Sequence, residues 1–219
     1  MSIRLAIFDC DGTLSDGQAA VCRSMETAFA AVDLPAPNPG AVRRIVGLSL
    51  PNAIRQLAPD AREAQHMEAV AAYKQAFFAM RQDGSLREPL YPGMEELVRN
   101  LHARGWALGV ATGKSDRGLK ATLMANGLLD IFTTLQTADR HPSKPHPSML
   151  LTAMEDTFAP PAQTVMVGDT VFDMEAAKAA NVDAIGVGWG YHEADELLAA
   201  GARAVAQTAA ELEELIDGA

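Results

Sequence analysis

The feature that most constrains this chain is an alternation of short apolar runs with helical patterns over its C-terminal two-thirds. Strand-like runs lie at Leu5 to Phe8, Ala107 to Ala111, Thr164 to Val167 and Ala184 to Val187, with a weaker one at Ile131 to Gln136. Between them, Met94, Leu97, Val98 and Leu101 recur at helical spacing, and Gly105 follows where a C-terminal cap belongs. The pattern returns with Leu119 to Asn126, closed by Gly127, and with Phe172 to Ala180, closed by Asn181. A last helix opens on Thr208-Ala-Ala-Glu211, a capping-box spacing, and the Ala-rich stretch from Ala199 to Ala210 reads as helix and loop. Strands this short and apolar, separated by helices, belong to a parallel sheet covered on both faces. The expectation is an α/β fold with a doubly wound, mainly parallel sheet.

Residues 17–87 break the alternation. Helical patterns run over Ala19 to Val32, Val42 to Val46, Pro51 to Leu57 and Ala61 to Met80, with no convincing strand. Pro35, Pro37, Pro39 and Gly40 punctuate the segment early, and Asp83-Gly84-Ser85 with Pro89 and Pro92 close it. The expected organisation is an α/β core from residues 1–16 and 88–219, with an all-helical insertion at 17–87. The chain would cross between them near Asp16 to Gln18 and Leu86 to Pro89.

The chain's 219 residues allow one good core and a smaller appended unit. A net charge of −10 argues against a general nucleic-acid binder, and any anionic substrate needs a local concentration of positive charge. No apolar run approaches the roughly 20 residues of a membrane span. The N-terminus, Met-Ser-Ile-Arg-Leu, enters a strand-like run at once and has no signal-peptide cleavage region. Two cysteines, Cys10 and Cys22, make no disulfide framework, so the expected compartment is the reducing cytoplasm. Nothing here bears on oligomeric state.

Ligands of open α/β sheets bind beyond the carboxyl ends of the strands. After the first run comes Asp9-Cys10-Asp11-Gly12-Thr13-Leu14, and after the second Thr112-Gly113-Lys114. Gly168-Asp169-Thr170-Val171-Phe172-Asp173 follows Thr164 to Val167, and Ser143-Lys144-Pro145-His146-Pro147 precedes that strand. In order and spacing these four segments resemble the four motifs of the haloacid dehalogenase (HAD) superfamily, and the likeness covers essentially the whole chain. The insertion resembles the helical cap that such enzymes place between the first two motifs on a Rossmann-like core. Tyr91-Pro92-Gly93-Met94, Ala111-Thr112-Gly113-Lys114 and Ser143-Lys144-Pro145 are most similar to the phosphoglycolate phosphatase branch.

The resemblance implies a phosphatase that forms a phosphoryl-aspartate on Asp9, with Asp11 as general acid and base. Two residues apart in an extended segment, both carboxyls leave on one side. A carboxylate nucleophile splits one hard displacement into two easier ones, and the second carboxyl moves the proton each time. A bare Asp-x-Asp is more often a pair of capping or solvated aspartates; the preceding strand, the following Gly-Thr and the three downstream motifs give this one its weight. Gly12 permits the sharp turn. Phosphate contacts are expected from Gly12, Thr112, Gly113 and Lys144, with Thr112 at a helix N-terminus and Lys144 neutralising the transferring group.

Carboxylates gathered at one strand mouth repel unless a cation joins them, and an all-oxygen donor set suits Mg²⁺ rather than Zn²⁺. By resemblance the metal is held by the Asp9 carboxylate, the Asp11 carbonyl and the Asp169 carboxylate. Asp173 either ligates through water or orients Lys144. His146 reads as a loop residue and Cys10 as core packing. Arg43, Arg44 and Gly47-Leu48 resemble a cap loop that reads the rest of the substrate, although a solvated helix face explains either arginine as well. The expected partner is a small phosphorylated metabolite, phosphoglycolate first, with no nucleic acid and no membrane. A sugar-phosphate mutase, a pyrophosphatase and a silent binding module on the same fold stand as alternatives.

Overall fold

The computed structural model describes residues 3–218; Met1 and Ser2, part of the signal-peptide argument, and Ala219 lie outside the described residues. The chain opens with β1 (Leu5–Phe8) and continues through α1 (Gln18–Ala30), α2 (Pro39–Arg44), α3 (Leu50–Leu57) and α4 (Glu63–Gln82). Then come α5 (Met94–Ala103), β2 (Ala107–Thr112), α6 (Asp116–Ala125), β3 (Thr134–Thr137) and α7 (Ser148–Thr157). β4 (Thr164–Gly168), α8 (Val171–Ala179), β5 (Asp183–Val187), α9 (Ala194–Ala200), β6 (Ala204–Ala206) and α10 (Ala209–Asp217) complete it.

The strands form one six-stranded sheet in the order β3-β2-β1-β4-β5-β6, every neighbouring pair parallel. The period-2 alternation of β1 divides the core. Ala6 and Phe8 face α5, α6 and α10, where Met94, Leu97, Leu101, Leu119 and Leu212 pack. Leu5 and Ile7 face α7, α8 and α9 through Met149, Leu150, Met174 and Leu197. The doubly wound α/β expectation holds. The winding reverses at β1, which opens a crevice at the carboxyl ends of β1, β2 and β4.

Helices α1 to α4 bury a third cluster that includes Val21, Met25, Phe29, Val42, Ile54 and Ala69, and Tyr191 from the loop after β5 joins it. Asn38 starts α2, its side chain accepting from the N–H groups of Gly40 and Ala41 at 2.8 and 3.2 Å. That helix ends at Arg44 rather than Val46, and the chain turns over Ile45–Leu48 towards the sheet.

Two edges of the sheet differ from the sequence expectation. Leu129–Ile131 is a 3-10 turn and the strand begins at Thr134. Its buried Thr134 and Gln136 are satisfied by Asp156 of α7, at 2.6 and 2.7 Å, a pairing no apolar run signals. Within the stretch expected to be helix and loop, Ala204–Ala206 pairs with β5 as an edge strand too short and small to announce itself.

Candidate active site

β1 is buried along its whole length and delivers Asp9 to the mouth of the sheet, where the Asp9 N–H donates to the Val167 carbonyl at 2.9 Å. The chain then folds back on itself: the N–H groups of Leu14 and Ser15 both donate to the Cys10 carbonyl, at 3.0 and 2.9 Å. Gly12 makes this turn at φ +91°, and a Cβ there would lie 2.2 Å from Asp169 Oδ2 and 2.5 Å from the Tyr191 ring. Only glycine meets both conditions.

Asp9, Lys144, Asp169 and Asp173 are fully or almost fully buried together. The Lys144 ammonium donates to Asp9 Oδ1 at 2.8 Å, Asp173 Oδ1 at 2.6 Å and the Ala111 carbonyl at 3.1 Å, which uses all three of its hydrogens. The other Asp173 oxygen accepts from the N–H and hydroxyl of Thr170 at 3.1 and 2.7 Å, capping α8. Asp173 thus grips Lys144 and anchors it to a helix start. Asp169 is held by the Thr13 hydroxyl at 2.8 Å and the Tyr191 N–H at 2.9 Å. Asp9 Oδ2 is buried and makes no hydrogen bond.

Burial raises the Asp9 carboxyl to about 7, against the pull of Lys144 and with Asp173 and Asp11 adding to the rise. Burial, with Asp9 and Asp173, lifts Asp169 well above the ordinary carboxylate range. Against its own burial, Lys144 is held above the usual lysine value by Asp173 and Asp9. Three buried carboxyls therefore gather around one lysine that pairs with only two of them. One oxygen from each of Asp9, Asp169 and Asp173 falls within a 4.8 Å span. An all-oxygen set short of positive charge fits a hard divalent cation.

Asp11 lies to the side of this cluster. Its carboxylate is 3.0 Å from the Lys114 ammonium, which also reaches Glu88 at 2.6 Å. Burial raises the Asp11 carboxyl despite Lys114. The second Glu88 oxygen takes Arg81 of α4 at 3.1 Å and the Thr122 hydroxyl of α6 at 3.0 Å. Glu88 had no signal in the sequence, because its importance comes from three partners in three separate segments. Thr112, at the end of β2, is buried and accepts from the Lys114 N–H at 3.3 Å.

A cavity of about 370 Å³ opens over Asp9, Asp11, Thr112, Gly113 and Lys114 and is roofed by the helical segment. The roof comes from Ile45–Leu48 and from α4. A Cβ on Gly113 would lie 2.3 Å from the Leu48 carbonyl oxygen, so the two backbones are in contact there. Of the cap residues singled out in the sequence, Gly47 and Leu48 line the cavity, whereas Arg43 and Arg44 do not. Arg44 is drawn away into a two-pronged pair with Glu196 of α9, both contacts 2.6 Å. His146 stays in its loop, with Nδ1 accepting from the Ser148 N–H, and Cys10 is buried in the core.

Residues 6–187 match the family described as haloacid dehalogenase-like hydrolase. The chain belongs to that family. Within it the hydrolase stands with the phosphatases. It is 37% identical over 210 residues to the "probable phosphatase IndB" of Dickeya dadantii, covering 95% of this chain and 91% of that one. It is 31% identical over 193 residues to the phosphoglycolate phosphatase of Nitrosococcus oceani, covering 86% and 85%. The crystal structure of "a predicted phosphatase" from Clostridium acetobutylicum superposes over 100% of both chains with a TM-score of 0.89 at 25% identity. Among the described residues of the hydrolase, no helix is long and apolar enough to cross a membrane.

Proposed function

We propose that the hydrolase is a magnesium-dependent phosphatase that cleaves a phosphate monoester through a phosphoryl group carried on Asp9. The observation that carries this reading is the divided environment of the Asp9 carboxylate. One oxygen is fixed by Lys144 at 2.8 Å while the other, buried and without a hydrogen bond, is free to attack. The carboxyl of Asp11 lines the same cavity.

In the first step Asp9 Oδ2 bonds to phosphorus and the bond from phosphorus to the ester oxygen breaks. The departing oxygen keeps the electron pair and takes the proton of Asp11, whose raised proton affinity suits it to carry one. In the second step Asp11 removes a proton from water and the hydroxide attacks phosphorus. The bond to Asp9 breaks, inorganic phosphate leaves, and both aspartates return to their starting states. Lys144 balances charge on the nucleophile and the phosphoryl group, and Thr112 with the Gly113 N–H cradles phosphoryl oxygens. Mg²⁺, held by the carboxylates of Asp9 and Asp169 with the Asp11 carbonyl, would neutralise the gathered negative charge when bound. Asp173 serves as the positioning residue for Lys144. The relatives' names support a small phosphorylated metabolite as substrate, and the helical segment supplies a lid that excludes water.

The test is phosphate release from small monoesters by the purified protein. Activity vanishes in excess chelator and returns with Mg²⁺. Asp9→Asn abolishes turnover while the circular-dichroism spectrum is preserved, because a neutral amide cannot attack. A wild-type rate in purified Asp9→Asn protein would end this reading.

A further inference from the structure

The cavity over Asp9 and Asp11 has two chemically different walls. Asp11 and Lys114 make one of them polar. The other is the inward face of α4, where Tyr73 and Phe77, one helical turn apart, stack with ring centroids 5.6 Å apart and planes at 27°. Phe78 extends this surface to the rim, beneath the Arg117 guanidinium at 4.3 Å. Met25 and Leu48 line the same space. The walls meet at Lys114, whose ammonium is 3.0 Å from the Asp11 carboxylate and 5.4 Å from the centre of the Phe77 ring. A group attached to an oxygen protonated by Asp11 therefore meets Phe77 and Tyr73 within a side chain's length.

Resting on the phosphatase reading above, we propose that the substrate is a phosphate monoester whose alcohol carries a planar, largely apolar ring seated on the Tyr73–Phe77 face. Phosphoglycolate, the substrate in the names of several relatives, would leave much of this cavity unfilled. At about 370 Å³ the space is in the range, roughly 300–1,000 Å³, of pockets that enclose ligands far larger than a two-carbon acid. Two of the cations that line the cavity are already paired, Lys114 with Asp11 and Glu88, and Arg81 with Glu88. Lys74 and Arg117 also line it, Arg117 over the Phe78 ring. A carboxylate seated on the Tyr73–Phe77 face itself would lose its water against aromatic rings. A ring in the same place buries one face against these two and gives up no hydrogen bond.

The test measures kcat/KM for phenethyl phosphate, ethyl phosphate and phosphoglycolate, whose alkoxides leave with comparable difficulty, so that differences report the cavity and not the leaving group. Phenethyl phosphate leads both others by about tenfold or more, and Phe77→Ala and Tyr73→Leu each cut that lead several-fold. The same order is read without turnover from the dissociation constants of phenylpropyl phosphonate, propyl phosphonate and phosphonopropionate, which mimic the three esters. Phosphoglycolate level with or ahead of phenethyl phosphate, or a lead unchanged in both variants, overturns the inference while the phosphatase reading stands. If no ester is hydrolysed, the phosphatase reading falls, and the phosphonates decide the ring site alone: the phenyl compound binding tightest upholds it, and any other order overturns it.

Discussion

In the proposed mechanism Asp11 acts twice, and the two acts separate experimentally. An alkoxide needs a proton to leave, whereas p-nitrophenolate leaves well without one. Asp11→Asn should therefore slow hydrolysis of an alkyl phosphate severely at the first step. With p-nitrophenyl phosphate it should release a burst of about one equivalent per enzyme, followed by slow turnover as the phosphoryl group stays on Asp9. Rapid quenching and mass spectrometry would find the adduct on the Asp9 peptide; equal losses on both esters with no adduct would remove Asp11 from the acid–base role. Lys144 yields a stability prediction from the same cluster. Removing the lysine shared by Asp9 and Asp173 leaves buried carboxylates unpaired, a loss of about 3–5 kcal/mol in comparable buried pairs. Lys144→Met should lower the melting temperature markedly in chelator and much less with saturating Mg²⁺, read by circular dichroism. The gathering of Asp9, Lys144, Asp169 and Asp173 was legible in the sequence because each follows or precedes a strand, and a parallel sheet brings those ends together. Which side Asp173 serves was not legible, since its grip on Lys144 depends on a rotamer and a helix cap.

Among the elements, α4 and the turn over Ile45–Leu48 decide what reaches the site. The helical period of α4 was plain in the sequence, but the period does not say whether Tyr73 and Phe77 turn to a core or to a cavity. The stripe that packs with α1 at Ala69 carries on to Tyr73 and Phe77, where it opens onto the cavity. Strand β6 escaped notice for a different reason: three small residues complete the sheet edge without forming a hydrophobic signal of their own. The turn over Ile45–Leu48 gives an element-scale prediction through Gly113. Its missing side chain is what lets the Leu48 carbonyl approach, and Gly113→Ala would set a Cβ 2.3 Å from that oxygen. The backbone must give way, so the roof lifts from the end of β2. The expected result is a fall in kcat/KM of about tenfold or more with a small change in melting temperature, since the displaced turn lies outside both sheet cores. An unchanged kcat/KM would mean that the contact is not needed for closure.

At the scale of the whole molecule, the helical segment and the α/β core are tied together away from the cavity as well. Arg44 pairs with Glu196, the Arg44 carbonyl lies 3.1 Å from His192 Nε2, and the Ser49 N–H donates to the Ser143 hydroxyl at 2.8 Å. The hydrogen bonds from Arg44 hold the Glu196 carboxyl down at about 2, below its ordinary 4.5. A depressed carboxyl stabilises the folded form above its unfolded value and loses that contribution as pH falls through the folded one. The difference in melting temperature between the native protein and Glu196→Gln should be constant from neutral pH to about 4.5 and shrink below it. High salt should shrink it at every pH, because the pair is exposed. The strand order carries a consequence for how the protein is made. β1 leaves the ribosome before the other five strands of the sheet, yet it lies in the middle of it, and its partner β4 does not begin until residue 164. During synthesis β1 waits through the whole helical segment and then through β2 and β3 with one side unpaired. A nascent chain stalled before β4 presents a bare, fully apolar strand edge, the kind of surface that recruits chaperones or sticks to its neighbours. Asp9, at the tip of β1, is thus made well before the segments that enclose it.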